Sequence, residues 1–506
     1  MKRKQSLAAN TGRKIVLAKA TPHKSAEQFR ELRHPHLINF QQEWLDYDGS
    51  AYQLIKDETI EAEVGAFLVD SEIMQIEEVG GRRKKVRAPF NPKNADVREV
   101  VDALARLCHR PEGTVSPPSW LDGRSDPDPR NVISCSNCLV DIITGNTYER
   151  TPQYFTRTAL PLEYNELAPD PTRWGQFLAE VTDNSEPLTE LLQEMAGYLI
   201  ASDTTQQRVF FPIGPPRSGK GTFLRTLNGL IGQNNIHNPT IQSLAGQFGL
   251  HPLVGKSVAI IGDATCHDRQ KLSTAANRIN GISGEDPQGV ERKFKDPINV
   301  RLPTRIVVAS NHLPDFGDHS AAIAARLIFL PFSVSFEGRE DRRLEGKLTA
   351  ELPGILNWAL AGLARLNARG YFVEPEECLH IKRRMLYLSN PVRGFIDECC
   401  ALEANAVIDK KILHEQYRVY CEEMGARPVA RDTFSEKLFE LVPSTGKSKA
   451  PRSQSRAPIY TGIRLNDTLL REAFEPDPLA ELLGTSGIAA LKLDKDGKPI
   501  PRHHMN

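Results

Sequence analysis

Several things are scarce in this 506-residue sequence, and each absence excludes something. No apolar run approaches the roughly 20 residues that a membrane-spanning helix needs. Excess charge of either sign is missing: 64 Lys+Arg balance 64 Asp+Glu. The chain therefore lacks the global signature of a polyanion binder, and any nucleic-acid contact must come from local patches. Eight cysteines in a chain of this length do not make a disulfide framework. Cys135 and Cys138 form one CxxC without a second pair at finger spacing, and Cys399 and Cys400 are adjacent. Buried free thiols in a reducing cytoplasm are the expectation. The start, Met1-Lys-Arg-Lys-Gln-Ser, is basic but has no apolar h-region behind it, so it does not read as a secretory signal. No repeat at a solenoid period is visible.

What is present is concentrated in nine residues, Gly214-Pro215-Pro216-Arg217-Ser218-Gly219-Lys220-Gly221-Thr222. The apolar run Val209 to Ile213 precedes them and reads as a buried strand. Phe223, Leu224 and Leu227 follow at helical spacing. Strand, glycine-rich loop and helix is the context of a phosphate-binding loop, whose backbone N–H groups cradle phosphate while the lysine adds a point charge. The ligand expected is ATP with Mg²⁺. The pattern departs from the usual one in a single place: Gly221 follows the lysine, and the hydroxyl expected on Mg²⁺ is one residue later, at Thr222.

Hydrolysis also needs an acid at a neighbouring strand end. Ser257-Val-Ala-Ile-Ile-Gly262-Asp263 supplies it, and Asp263 is expected to hold Mg²⁺ with Thr222. The neighbouring position is Gly262 rather than a second acid, so the water-orienting role is open between Asp268 and Glu285. A third apolar run, Ile306 to Ala309, leads to Asn311, which can reach the γ-phosphate or the attacking water. Arg326 opens a further strand, where it can serve the nucleotide of a neighbouring subunit.

These motifs in this order resemble superfamily 3 helicases, specifically the phage and plasmid primase–helicase branch. The stretches that carry the resemblance are Gly-Pro-Pro-Arg-Ser-Gly-Lys-Gly-Thr, Ala-Ile-Ile-Gly-Asp-Ala, Ile-Ser-Gly-Glu-Asp, Val-Ala-Ser-Asn-His-Leu-Pro and Ala-Arg-Leu-Ile-Phe-Leu-Pro-Phe. The resemblance implies an α/β chain: an AAA+-like P-loop ATPase core, an N-terminal α/β accessory domain and a C-terminal winged-helix domain. It further implies a homo-hexameric ring, ATP-driven translocation on single-stranded or forked DNA, and a bacterial host cell.

The boundaries expected are a loose basic arm over 1–35, the accessory domain over 36–167, a helical collar over 168–205, the ATPase domain over 206–370, the winged helix over 389–466 and a tail over 467–506. Between Asp263 and Asn311, the glycines and proline of 282–289 suit a hairpin with a basic, aromatic end. The family carries a channel hairpin there, which assigns DNA contact to Arg292, Lys293, Phe294 and Lys295. Arg82-Arg83-Lys84-Lys85 with Arg87 is a second basic stretch, a DNA contact or a solvated face. In the C-terminal segment a helix is expected over Ile408 to Met424, with Ile412, Tyr417 and Tyr420 on one side. A second helix follows with Thr433 and Glu436 at capping-box spacing, then a loop with Lys447, Lys449, Arg452 and Arg456.

Three functions compete. The first is a replicative ATP-dependent DNA helicase working with a separate primase or polymerase. The second is a combined primase–helicase, against which the short segment before the accessory domain counts. The third is an ATP-dependent DNA-binding initiator that never unwinds.

Overall fold

The computed structural model describes residues 15–17, 21–79, 82–111, 115–264, 268–313, 323–449 and 458–466. Two compact units divide the chain between Tyr164 and Asn165. The chain is mixed α/β, and a parallel sheet lies in the second unit.

In the first unit, helices Pro22–Arg33, Asp57–Val69 and Asn94–Cys108 enclose a core of Phe29, Leu37, Trp44, Val64, Phe67 and Leu104. The expected loose arm over 1–35 is corrected for the part described. Val16–Leu17 pairs with Glu72 and Ile73, and helix Pro22–Arg33 buries Ala26 and Phe29. Two apolar residues one turn apart suffice to dock a helix whose other faces are polar, and the basic composition masks that stripe. The Asp48-Gly49 turn joins strands Glu43–Tyr47 and Tyr52–Ile55, and the Asp48 carboxylate accepts the N–H groups of Ser50 and Ala51.

The second unit is built on five parallel strands: β1 (Val209–Ile213), β2 (Ile236–His237), β3 (Val258–Ile261), β4 (Arg305–Val308) and β5 (Leu327–Pro331), in the spatial order β2-β3-β4-β1-β5. Every residue of β1, β3, β4 and β5 is buried. This is why these strands read as continuous apolar runs: a parallel sheet is covered on both faces. Alternate residues split between the faces. Val209, Phe211, Ile213, Ala259, Ile261 and Phe329 share a core with Ala275, Ala276 and Ile279 of a helix over Arg269–Ser283. Phe210 points the other way, with its ring 6.0 Å from Tyr198 and 5.4 Å from Phe372.

Two helices precede the sheet, α1 (Thr172–Val181) and α2 (Glu186–Ile200). Asp183 and Asn184 break them apart with φ of +51° and +61°, and the Ser185 hydroxyl caps α2. The phosphate loop opens α3 (Lys220–Ile231), and Arg269–Ser283 is α4. After β5 comes α5 (Leu352–Arg369), whose preceding Glu351 carboxylate accepts the backbone N–H groups of Arg173 and Trp174 at the start of α1 (2.9 and 2.8 Å). Helices α2 and α5 meet at glycines, so their backbones approach closely. Buried Glu194 on α2 is held there by Arg365 and Arg369 of α5.

The C-terminal segment has its own core of Phe395, Leu413, Tyr417, Phe434, Leu438 and Tyr460. Helices α6 (Glu376–Ser389) and α7 (Pro391–Cys399) lead into α8 (Lys410–Met424) and α9 (Arg431–Leu441). A three-stranded antiparallel sheet of Val407–Asp409, Pro458–Thr461 and Gly446–Lys449 packs beside them. Two local expectations are corrected. Ile412 is exposed and Leu413 takes its place in the core, because Leu413 lies four residues before Tyr417 and seven before Tyr420, on one helix face, whereas Ile412 lies five before Tyr417 and falls on another. The capping box at Thr433 does not form; α9 already begins at Arg431, after Ala430.

The α2–α5 contact gives a sign-inverted test. Gly to Ala inside a helix normally gains about 1 kcal/mol. A Cβ on Gly197 would lie 2.4 Å from the Ala359 carbonyl oxygen, so Gly197→Ala is expected to destabilise by about 1–3 kcal/mol. The urea midpoint checks it; a midpoint at or above wild type would refute the close backbone contact.

Candidate functional site

In a parallel sheet all strands deliver their following loops to one edge. At that edge the loops after β1, β3, β4 and β5 come together. The loop after β4 is stitched to both neighbours: Ala309 N–H donates to the Ile261 carbonyl (2.8 Å) and Ser310 N–H to the Pro212 carbonyl (3.1 Å). Phe332, just past β5, donates to the Ile213 carbonyl (2.8 Å). Gly214 is required at this crossing because a Cβ would stand 2.0 Å from the Phe332 carbonyl oxygen.

A cavity of about 580 Å³ opens at this edge. Pro216, Arg217, Ser218, Gly219, Lys220, Gly221, Thr222 and Asn311 line it, so one stretch of loop and a residue 89 positions beyond its end share one space. Gly214 and Pro215 lie outside the lining but contribute carbonyls that accept from the Lys220 ammonium (2.7 and 2.8 Å); the Ser218 hydroxyl accepts a third bond (3.1 Å). Gly219 has φ +91°, and its missing side chain makes room for Val181 of α1, which a Cβ would meet at 2.6 Å. The N-cap of α3 is Gly219, which has no side chain with which to cap the first turn. Its N–H groups and the positive end of the helix dipole are therefore directed at whatever enters the cavity. Burial alone pulls the Lys220 ammonium down to about 8, because desolvation disfavours the charged form. The Thr222 hydroxyl accepts from Arg225 (3.3 Å).

Several lining residues carry no sequence signal near the glycine loop. Arg173, Phe177 and Glu180 come from α1; Phe336, Arg339, Glu340 and Asp341 come from the segment after β5. Glu340 pairs with Arg217, a non-glycine residue at φ +60°, and Phe336 N–H donates to the Arg217 carbonyl (3.0 Å). Only the fold brings these segments to the loop.

Asp263 lies just past β3 at the same edge, exposed, and is not part of the cavity lining. Of the two further acids considered, Asp268 caps α4 by accepting the Gln270 and Lys271 N–H groups (3.0 and 3.2 Å). Glu285 lies past the other end of α4, where it accepts from the Thr204 hydroxyl. Arg326 stands at the opposite edge of the sheet, before β5, with Asn280 as partner (3.5 Å). At about 3.3 Å per residue, the length of β5 puts it roughly 16 Å from the phosphate-loop edge. Arg326 is therefore remote from the cavity of its own chain.

Strands Gln288–Arg292 and Lys295–Val300 form the expected hairpin. Phe294 at its tip is 94% exposed, with φ +61°, and the Lys293 ammonium lies 5.0 Å from its ring centre. Arg292 is corrected as a DNA contact: it is 4% exposed, and its Nε donates to the Asp296 carbonyl (2.9 Å), bracing the bulge beside the turn. Side chains alternate along a strand, so one residue of a basic cluster turns inward.

The other basic stretch is matched by acids. In the hairpin of Glu72–Val79 and Arg82–Pro89, Glu77 faces Lys84 and Glu78 faces Arg83. Opposite charges at directly paired positions stabilise a sheet by about 0.2–1 kcal/mol each, which accounts for part of the cluster structurally. In the C-terminal segment, burial together with nearby Lys447 and Arg431 lowers the Lys410 ammonium, so three cations converge there. Arg452 and Arg456 lie outside the described residues. Cys135 and Cys138 are free thiols, and burial pushes Cys135 up to about 12. Among the described residues no helix is long and apolar enough to cross a membrane, and no His, Cys, Asp or Glu group is arranged to hold a metal by itself.

Comparison with known proteins gives three family matches. Residues 42–183 match the D5 N terminal like family, residues 213–326 a family of unknown function (DUF5906), and residues 388–468 the Poxvirus D5 protein-like family. The uncharacterized mitochondrial protein ymf21 of Marchantia polymorpha is 25% identical over 131 residues, covering 24% of this chain and 73% of that protein. Among solved structures, an apo structure of the NrS-1 C terminal region is 12% identical, covers 87% of this chain and 98% of its own, and superposes with a TM-score of 0.48. A second, A form structure of that region is 11% identical, with 60% and 78% coverage and a TM-score of 0.42. The two D5-type matches lie on either side of the parallel-sheet region in the sequence.

Proposed function

We propose that this chain is a superfamily 3 DNA helicase subunit, an AAA+-like P-loop ATPase that works as a homo-hexameric ring in replication of a phage, plasmid or integrated mobile element. The observation that carries this is the cavity where an uncapped helix N-terminus, Lys220, Thr222 and Asn311 converge at the C-terminal edge of a parallel sheet. That arrangement suits ATP: the backbone N–H groups of Gly219 to Thr222 take phosphate oxygens, and Lys220 exchanges its loop carbonyls for phosphate. Mg²⁺ fits the oxygen donors Thr222 and Asp263, and when bound it neutralises charge on the phosphates. Asn311 orients the γ-phosphate or the attacking water.

Arg326 points to the ring. Its distance from its own phosphate loop leaves a neighbour's nucleotide as the one it can reach, where its guanidinium stabilises transition-state charge. The hairpin tip is the DNA contact, with Lys293 and Lys295 on phosphate and Phe294 on a base or sugar. Helix, turn, helix and a basic strand pair at the C-terminus support a winged helix, with α9 toward a groove and Lys447 and Lys449 toward phosphates.

Unwinding of a forked duplex tests the motor. Lys220→Ala is expected to lower ATP turnover by about 10²-fold or more, and Arg326→Ala by on the order of 10³-fold. Rings mixed from the two variants should regain part of the activity, because some interfaces pair an intact loop with an intact arginine. No regain would overturn donation in trans. Hydrolysis by wild type without strand separation would instead favour the initiator reading.

The lowered Lys220 predicts a pH dependence. The charged form binds phosphate, and a folded value near 8 keeps it charged below that pH. ATP affinity is therefore expected to be level below pH 8 and to weaken by up to about tenfold per unit above it. Titration calorimetry from pH 6.5 to 9.5 in constant salt checks it, and Lys220→Arg should flatten the curve.

Phe294 gives a test of opposite signs. A non-glycine residue in the left-handed region carries about 1 kcal/mol or more of strain, so Phe294→Gly is expected to raise stability. Loss of base stacking should weaken single-stranded DNA binding by about fivefold or more. Chemical denaturation and fluorescence anisotropy with a labelled oligonucleotide read the two effects separately.

A further inference from the structure

We infer that Phe336 is the platform on which the nucleobase stacks, an inference that rests on the nucleotide reading of the cavity. The volume of about 580 Å³ lies in the range that holds a whole nucleotide-sized ligand rather than a phosphate tail alone. One side of the cavity is the phosphate loop. Another comes from the segment after β5, which contributes Phe336 and, further on, Leu344. Two aromatic rings line the space. Phe177 is 2% exposed and stacked on Trp174 with ring centres 5.5 Å apart, so its faces are already used. Phe336 is only half-buried.

Phe336 is also positioned relative to the phosphates. Its N–H donates to the Arg217 carbonyl (3.0 Å), in the middle of the loop whose other residues face the phosphates. The Arg339 guanidinium lies over one face of its ring, 5.8 Å from the ring centre, so a base would take the opposite face. An apolar ring among Arg339, Glu340 and Asp341, tethered to the loop by a backbone hydrogen bond, has the chemistry to take the flat face of a base. Every base has such a face, so stacking adds affinity while leaving the choice of base open.

Calorimetric titration of the full chain with ATP and, separately, with inorganic tripolyphosphate tests this. Phe336→Ala is expected to weaken ATP at least about fivefold while leaving tripolyphosphate within about twofold. Phe336→Trp keeps an aromatic face and should retain ATP affinity, which separates stacking from a folding defect. The proposal is overturned if Phe336→Ala weakens both ligands together, or if it leaves ATP unchanged. It is also overturned, with the phosphate loop intact, if wild type binds ATP no more tightly than tripolyphosphate. If wild type binds neither, the nucleotide reading itself falls and the platform with it.

Discussion

The close approach of two backbones at Gly214 is the constraint on which the rest of the site depends. The central strand β1 lies between β4 and β5, and where it ends the chain must pass the carbonyl of Phe332 with no room for a Cβ. The same strand end takes hydrogen bonds from Ser310 on one side and Phe332 on the other. Three loops distant in sequence are thereby fixed to one another before any ligand enters. A side chain at residue 214 would push β5 away and move Phe336 and Glu340 with it.

Charge in the cavity is arranged around the same crossing. Lys220 is half-buried and is satisfied by two loop carbonyls and a hydroxyl rather than by an acid. An acid beside it would hold the ammonium at full charge and compete with an incoming anion. Carbonyls leave it lowered to about 8 and exchangeable. The acids of the cavity are instead paired elsewhere: Glu180 with Arg173, Glu340 with Arg217 and Asp341 with Lys347.

Much of the second unit was legible because a parallel sheet buries both faces of its strands. The runs at Val209, Val258, Ile306 and Leu327 are continuous and apolar, and each ends at a polar or glycine-bearing loop. The hairpin was legible from its glycines and proline, but the inward turn of Arg292 was not: it shares the buried face of Val290 two residues before it, and its charge hides that alternation. Helix Pro22–Arg33 was hidden by its basic surface, and the phase of α8 by the competing apolar residue Ile412.

The sequence by itself determined the local order of the candidate residues: the glycine loop with Lys220 and Thr222, the acid after β3, the asparagine after β4 and the arginine before β5. Those residues are spaced by strand and loop lengths, which neighbours along the chain specify. Only the tertiary structure decided that Arg326 stands at the opposite end of β5 from the phosphate loop, and that α1 and the segment after β5 form the remaining lining of the cavity. Both follow from strand order and helix packing, in which residues more than a hundred positions apart meet through contacts that no local pattern encodes.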